Sequence, residues 1–320
     1  MRKIFFRADA GADIGYGHFI RTLALADMLK NDFECVFVTQ SPTEYQRSEV
    51  SKICRLVEVP ATEEKFGLFL EMLEGDEIVV LDNYFYDTDY QRKIKEKGCK
   101  LVCIDDMHDK HYVADVVINH GLTDPLCFDV EPYTQLCLGF EWALLRKPFL
   151  EAKPCDERER GHWVVSFGGV DCYDLTLKFA KQLEKFDTVK KITAIVGDGY
   201  KDEQQLKTLT KVNVLKKLSA EAIANLFCRV EGAILPASTI SMEAIACGCP
   251  VISGFFVDNQ KEIYQYAINQ KRAQGIGNLL EPDMEKLLLQ AVIHTENIRI
   301  PFFSSDIKER YINQFKRIVL

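Results

Sequence analysis

Short apolar runs alternate with amphipathic stretches along almost the whole chain. Ile4-Phe5-Phe6 opens the series, a β-prone run of the kind that forms a strand. Gly15 and Gly17 follow, and after them Ile20, Leu23, Ala24 and Met28 recur at spacings of three and four, which is one face of a helix. The same reading predicts strands over 33–39, 53–59, 77–81, 100–104 and 113–118. Helical patterns fall over 61–74 and in the charged segment ending at Lys97. A second series starts at His162-Trp163-Val164-Val165, with further strands over 192–196, 232–236 and 250–253, the last well-marked one. Helices are expected from Asp171 to about Lys185, after Ser219, after Ser238 and after Asp258. A terminal helix over 306–320 has apolar positions Ile307, Tyr311, Phe315 and Val319.

Strands alternating with helices predict a doubly wound, mostly parallel α/β sheet, and the plan appears twice. Between the two series lie Lys147-Pro148, Lys153-Pro154 and the charged run Asp156-Glu157-Arg158-Glu159-Arg160, which read as a linker. The expected organisation is a domain over 1–150, with the final helix 304–320 packing back on it, and a second domain over 158–303. A chain of 320 residues exceeds what one core usually organises, roughly 250–300. Two such sheets facing each other would form a cleft walled by strand ends and helix starts.

Composition narrows the function classes. Apolar residues make up 47% of the chain, enough for real cores, yet no run approaches the ~18 residues of a membrane span. A net charge of −8 argues against nucleic acid or an anionic membrane as partner. The chain enters a strand at once, without an apolar leader, so a cytoplasmic location is expected. Eleven cysteines with no C-x-x-C fit buried free thiols in a reducing compartment, with no zinc site.

In doubly wound sheets ligands gather at the carboxyl ends of strands, and the polar clusters fall there: Asp9 with the glycine turn, Asp82-Asn83-Tyr84, and Asp105-Asp106. His18 stands in the first turn of the first helix, where unpaired N–H groups favour an anion. At neutral pH a histidine there can take a proton from water. Asp9 or Asp13 could orient the ring or contact substrate hydroxyls, and Arg7 and Arg21 could balance phosphate charge. In the second series, Gly168-Gly169 and Ser238-Thr239 are strand-to-helix junctions suited to a diphosphate, with Glu243 one turn on as a candidate for a ribose diol. His108 and His111 sit in a polar, loop-like stretch that reads as solvated rather than metal-binding. Neither a G-x-x-x-x-G-K-[ST] phosphate loop nor a G-x-S-x-G elbow occurs.

Arg7-Ala8-Asp9 through Gly15-Tyr16-Gly17-His18 and Arg21 resembles the signature of the UDP-sugar hydrolase family of pseudaminic acid biosynthesis. The resemblance continues, in order, through Leu81-Asp82-Asn83-Tyr84, Ile104-Asp105-Asp106, the stretch 139–146 ending in Arg146, Ser166-Phe167-Gly168-Gly169, Ala237-Ser238-Thr239 with Glu243, and Asp258-Asn259-Gln260. It departs from the family where Pro236-Ala237 precedes Ser238-Thr239 and where Asn83 stands between Asp82 and Tyr84. What the resemblance implies is a GT-B fold, two Rossmann-like domains with the nucleotide held mainly by the second. It implies His18 as general base, activating water to displace UDP at the anomeric carbon with inversion. On the sugar side it points to Asp13, Gly15, Tyr16, Gly17, Tyr84 and Arg146. On the nucleotide side it points to Gly168, Gly169, Ser238, Thr239, Glu243, Asn259 and Gln260. Neither metal nor cofactor is implied; the partners are a nucleotide sugar and water. The alternatives are a GT-B glycosyltransferase using a UDP-sugar donor and a non-catalytic nucleotide-sugar-binding protein, which would have no need of His18.

Overall fold

The computed structural model describes residues 1–11, 15–153, 155, 157–169, 171–197, 199–281, 284–293 and 306–319. The chain divides into two compact units. Met1–Lys147 with the C-terminal helix forms one, and the intervening residues from Pro148 form the other.

The first unit carries strands β1 (Lys3–Ala8), β2 (Glu34–Gln40), β3 (Arg55–Val59), β4 (Ile78–Asp82), β5 (Lys100–Ile104), β6 (His111–Tyr112), β7 (Val116–Asn119), β8 (Asp129–Val130) and β9 (Gln135–Leu138). Seven of them make one sheet in the order β3-β2-β1-β4-β5-β7-β9, all pairs parallel; β6 and β8 pair separately. The central strands are apolar on both faces because helices cover both. All of Ile78, Val79, Val80 and Leu81 are buried, and burying each such side chain stabilises the fold by about 1.5–3 kcal/mol. The first helix, Gly17–Leu29, buries Phe19, Leu23, Leu25, Ala26 and Leu29. Its outer neighbour is the C-terminal helix Ile307–Arg317, whose Phe315 ring meets Phe33 edge-on at 6.2 Å. There Ile307, Tyr311, Phe315 and Ile318 are buried, while Val319 is only half-buried. Tyr311 also donates to the Trp142 carbonyl.

The second unit has strands β10 (Glu159–Val165), β11 (Lys191–Ile195), β12 (Val212–Leu215), β13 (Val230–Pro236), β14 (Val251–Phe255) and β15 (Gln274–Asn278), in the order β12-β11-β10-β13-β14-β15, again all parallel. Part of the charged run read as a linker is the start of β10: Glu159 pairs with Val230, and the Arg158 guanidinium donates to the Val230 carbonyl at 3.0 Å. The edge strands β9 and β15 go beyond the sequence reading. Each is short and carries polar or glycine positions, because an edge strand is not buried on both faces.

Candidate functional site

Asp82 ends β4, beside the end of β1, where Ala8 is its register partner. That adjacency brings residue 82 under the helix that follows β1. His18, Arg21 and Thr22 sit three and four residues apart, on one face of that helix, and all three converge on the Asp82 carboxylate. Oδ1 lies 2.7 Å from His18 Nδ1 and 2.6 Å from Arg21 Nη2; Oδ2 accepts from Arg21 Nε and Thr22 Oγ1, each at 2.7 Å. Asp82 is fully buried, and His18 and Arg21 nearly so. Burial alone would raise the Asp82 pKa, but the Arg21 charge, and after it His18, outweigh that and hold the carboxyl well below its usual range. An ionised Asp82 only accepts, so the contact calls for a proton on His18 Nδ1; Arg21 Nη2, a donor 3.0 Å from the same nitrogen, is closer to Asp82 Oδ1 at 2.6 Å, and in the neutral ring Nε2 then carries the lone pair.

The arrangement closes into a ring. Arg21 Nη1 donates to Asp106 Oδ2 at 2.9 Å, and the Tyr84 hydroxyl donates to the same oxygen at 3.2 Å. The Tyr84 ring then meets His18 edge-on, 4.8 Å between centroids. Tyr84 is about half exposed, so it forms the outer wall, and the carboxylates lie behind it.

Arg7 and Asp9 serve the scaffold. The Arg7 guanidinium grips both Asp9 oxygens, with 2.9 Å to Oδ2. The Gln40 N–H donates to Asp9 at 2.8 Å and Lys65 Nζ at 3.2 Å. Burial works to raise the Asp9 pKa, but Arg7 and the Gln40 N–H keep it low. The side chain that orients His18 is therefore Asp82 and not Asp9, while Asp13 lies outside the described residues. Asn83 ties the exits of β4 and β1 together, accepting from the Asp9 N–H at 2.7 Å and donating to its carbonyl at 3.3 Å. Gly15, at φ +78°, turns the loop and donates to the Gly11 carbonyl at 2.8 Å; Gly17 starts the helix. Tyr16 packs edge-on against Tyr45 at 5.8 Å, and half-buried Arg146 is an electrostatic neighbour of that tyrosine.

Asp105 is used internally, accepting from the Met107 and His108 N–H groups, the Tyr112 hydroxyl and Asn119. His111 sits between Asp129 (2.9 Å) and Glu131 (3.2 Å), while the His108 ring packs on Phe128. Among the described residues, the acidic side chains close enough to share an ion are Glu74, Asp76 and Glu77. There Glu77 already accepts from the Glu74 and Gly75 N–H groups, as a turn cap does.

In the second unit the named residues fall at the carboxyl ends of three adjacent strands. Gly168 and Gly169 follow β10; Gly168 has φ +91°, and a Cβ at either would meet nothing within 4 Å, so the turn presents open backbone. Behind it, a Cβ on Gly197 would lie 2.3 Å from the Gly169 carbonyl oxygen, so this turn packs where only glycine fits. Asp171 caps the next helix, accepting from Leu175 and Thr176 N–H at 2.9 and 2.7 Å. After β13, half-buried Ser238 and Thr239 open the helix Thr239–Ala246. Glu243 lies buried in its second turn. After β14 comes the single turn Asp258–Gln260, where Gln260 Oε1 accepts from Phe256 N–H at 3.0 Å and Asn259 stays half-buried.

No protein-family model matches the chain. In sequence it is 25% identical over 276 residues to the UDP-2,4-diacetamido-2,4,6-trideoxy-beta-L-altropyranose hydrolase of Campylobacter jejuni, covering 81% of this chain and 93% of that protein. It is 24% identical over 283 residues to an uncharacterized protein of Methanocaldococcus jannaschii, spanning 82% of this chain but 57% of that longer one. In structure it matches MurG of Acinetobacter baumannii with a TM-score of 0.63 at 12% identity, over 100% of this chain and 98% of that one. UGT89C1 of Arabidopsis thaliana matches with a TM-score of 0.62 at 12% identity, over 98% and 93%. CalG4, the calicheamicin glycosyltransferase, matches at 0.57 and 14% identity, over 99% and 94%. The fold is GT-B, and the resemblance to the family of the Campylobacter UDP-sugar hydrolase extends over 81% of this chain.

Proposed function

We propose that this chain is a nucleotide-sugar hydrolase that releases UDP from a UDP-linked 2,4-diacetamido-2,4,6-trideoxyhexose. The observation that carries the mechanism is the buried Asp82–His18 hydrogen bond of 2.7 Å, which leaves Nε2 free to accept a proton. A water oxygen attacks the anomeric carbon as Nε2 takes its proton. The bond from that carbon to the diphosphate oxygen breaks on the opposite face, and the electron pair leaves with UDP, so configuration inverts. Asp82 stabilises the imidazolium that forms. Arg21 and Thr22 keep Asp82 in place without reaching the reacting atoms.

In the first unit, Gly15, Tyr16, Gly17, Tyr84 and Arg146 are assigned to the sugar, together with Asp13. In the second, the open Gly168-Gly169 turn and the start of the Thr239–Ala246 helix offer N–H and hydroxyl donors suited to a departing diphosphate. Glu243 is assigned to the ribose and Asn259 and Gln260 to the nucleotide. The cytoplasm is the compartment we assign. All eleven cysteines are free, and among the described residues no helix is long and apolar enough to cross a membrane.

Replacing His18 with alanine is expected to cut UDP release at least ~1000-fold, since base and orientation are lost together, while UDP binding stays within about twofold. The assay is nucleotide release over a panel of UDP-sugars, with neither acceptor nor metal added. Wild-type turnover by that variant would remove His18 as the base. Release only when an acceptor is supplied would move the chain to the glycosyltransferases.

A further inference from the structure

Away from His18, the first unit has an open pocket of about 460 Å³ at the amino ends of its strands. Lys100 starts β5, Asp115 directly precedes β7 and Gln135 starts β9, whereas Asp82 and Asp106 stand at the carboxyl ends of β4 and β5. The volume falls within the roughly 300–1,000 Å³ usual for small-molecule sites. Three cations line the pocket, Lys95, Lys100 and Arg317, against one carboxylate, Asp115. In a chain of net charge −8 that local excess is opposite in sign to the whole.

These groups are tied to one another by short contacts. Asp115 Oδ2 accepts from Lys95 Nζ at 2.6 Å and from the Leu101 N–H at 2.7 Å, and Lys100 Nζ lies 3.7 Å from Oδ1. Both ammonium groups thus stand against one carboxylate. The Gln135 N–H donates to the Asp115 carbonyl at 2.9 Å, and the Gln135 side-chain oxygen accepts from Gln314 Nε2 at 2.8 Å. Arg317 comes one turn after Gln314, on the same face of the C-terminal helix. It is exposed and has no carboxylate partner among the described residues. Tyr133 supplies an aromatic wall. Its hydroxyl is spent on the Val113 carbonyl at 3.0 Å, Lys95 Nζ lies 5.5 Å from its ring centroid, and about half of the residue is exposed. Basic residues in a last helical turn also offset the helix dipole, and Lys95 and Arg317 stand in such turns. That role needs neither Lys100, at a strand start, nor an open pocket beside all three.

We infer that this pocket binds a small phosphate monoester carried on a flat ring. A doubly charged phosphate matches three cations set against one carboxylate. Its three terminal oxygens can meet two ammonium groups and a guanidinium fork together, where a carboxylate offers two oxygens and one charge. The Gln135 NH2 is left to donate, and the ring lies against Tyr133 and Ile318. A ligand here leaves the Asp82–His18 end of the sheet open, and the assignment is independent of the nucleotide-sugar reading.

The test is calorimetric titration of phenyl phosphate into the protein at pH 7.5, with UDP in excess to fill the proposed nucleotide turns. One equivalent should bind. Inorganic phosphate, which lacks the ring, and benzenesulfonate, which keeps the ring with a single charge, are each expected to bind about tenfold more weakly. Arg317→Gln should weaken phenyl phosphate about tenfold, and Tyr133→Leu should bring it down to the affinity of inorganic phosphate. Lys316→Gln, at the next residue, which pairs with Asp32 instead, should change nothing. No binding by wild type overturns the pocket. Benzenesulfonate bound as tightly as phenyl phosphate overturns the choice of a dianion. An Arg317→Gln protein that melts lower yet binds like wild type marks a helix-end charge and overturns the site. Binding that follows this pattern in a protein that hydrolyses no UDP-sugar keeps the pocket and discards the hydrolase reading.

Discussion

The two units share one sheet plan but use their strand ends differently. In the first, the ends of β4 and β5 carry ionised side chains already bound to one another: Asp82 holds His18, Arg21 and Thr22, and Asp106 holds Arg21 and Tyr84. In the second, the ends of β10 and β13 offer open glycine backbone and two half-buried hydroxyls, with Glu243 the one charge assigned there. A preorganised charged network favours a transition state, because its dipoles need not rearrange when charge develops. A backbone-and-hydroxyl surface already holds the diphosphate in the ground state, so the larger part of its contribution goes to affinity. The first unit should therefore govern kcat and the second the affinity for UDP.

The largest effect that tests this division comes from Asp82→Asn. An asparagine can present its NH2 to His18 Nδ1, which selects the tautomer with the proton on Nε2 and leaves no base facing water. It also strips Arg21 of its closest counter-charge in a buried place, a loss of roughly 3–5 kcal/mol in stability. At a temperature where melting curves show the variant folded, kcat is expected to fall about 1000-fold or more, with UDP affinity within twofold of wild type. Unchanged kcat in a folded variant would mean that the network is structural only.

A smaller effect is expected from the other side. Thr239→Val keeps shape and helix but removes a hydroxyl proposed to meet the diphosphate. Hydrogen bonds to charged groups contribute about 1.5–3 kcal/mol, so UDP should bind about tenfold more weakly by calorimetry while kcat at saturation stays within twofold. If kcat falls and UDP affinity holds, the division of labour between the units is wrong.

The strand series and its repetition were readable because buried parallel strands are apolar runs. The edge strands Gln135–Leu138 and Gln274–Asn278 were not, since edge positions need no such run. Within the site, His18 was legible from its place at a helix start, and Arg21 and Thr22 were within reach of the same argument, because their spacing puts them on the His18 face. Asp82 was legible only as a strand-end carboxylate. That it, rather than Asp9 or Asp13, meets His18 depends on β4 lying beside β1, a pairing across more than seventy residues that local periodicity does not encode. Asp9 misled for the opposite reason. It is close to His18 in sequence, but β1 delivers it to Arg7, Gln40 and Lys65.

The smallest expected effect contrasts one buried histidine in each unit. His162 in the second unit has both ring nitrogens engaged, Nδ1 with Glu159 at 2.7 Å and Nε2 with Thr193 at 2.8 Å. His120, just past β7 in the first, is equally buried, and neither ring nitrogen has a partner among the described residues. Burial, and then the charge of Arg21, push its pKa down to about 4, against the opposing pull of Asp106 and Asp82. The folded protein therefore keeps His120 neutral where the unfolded chain, titrating near 6.5, takes up a proton. Its contribution is fully present above about pH 6.5 and is lost as pH falls toward 4, at up to about 1.4 kcal/mol per pH unit. His120→Leu should flatten the fall in urea-unfolding stability between pH 7 and pH 4.5 relative to wild type, leaving activity at pH 7.5 within about twofold. His162 loses protons in the same direction but is common to both proteins and cancels in the difference. Parallel stability curves for the two proteins would mean that His120 takes its proton in the folded state as readily as in the unfolded one. The surroundings of His120 would then admit water, and the contrast between a preorganised charged network in the first unit and a backbone-lined second one would lose its physical basis.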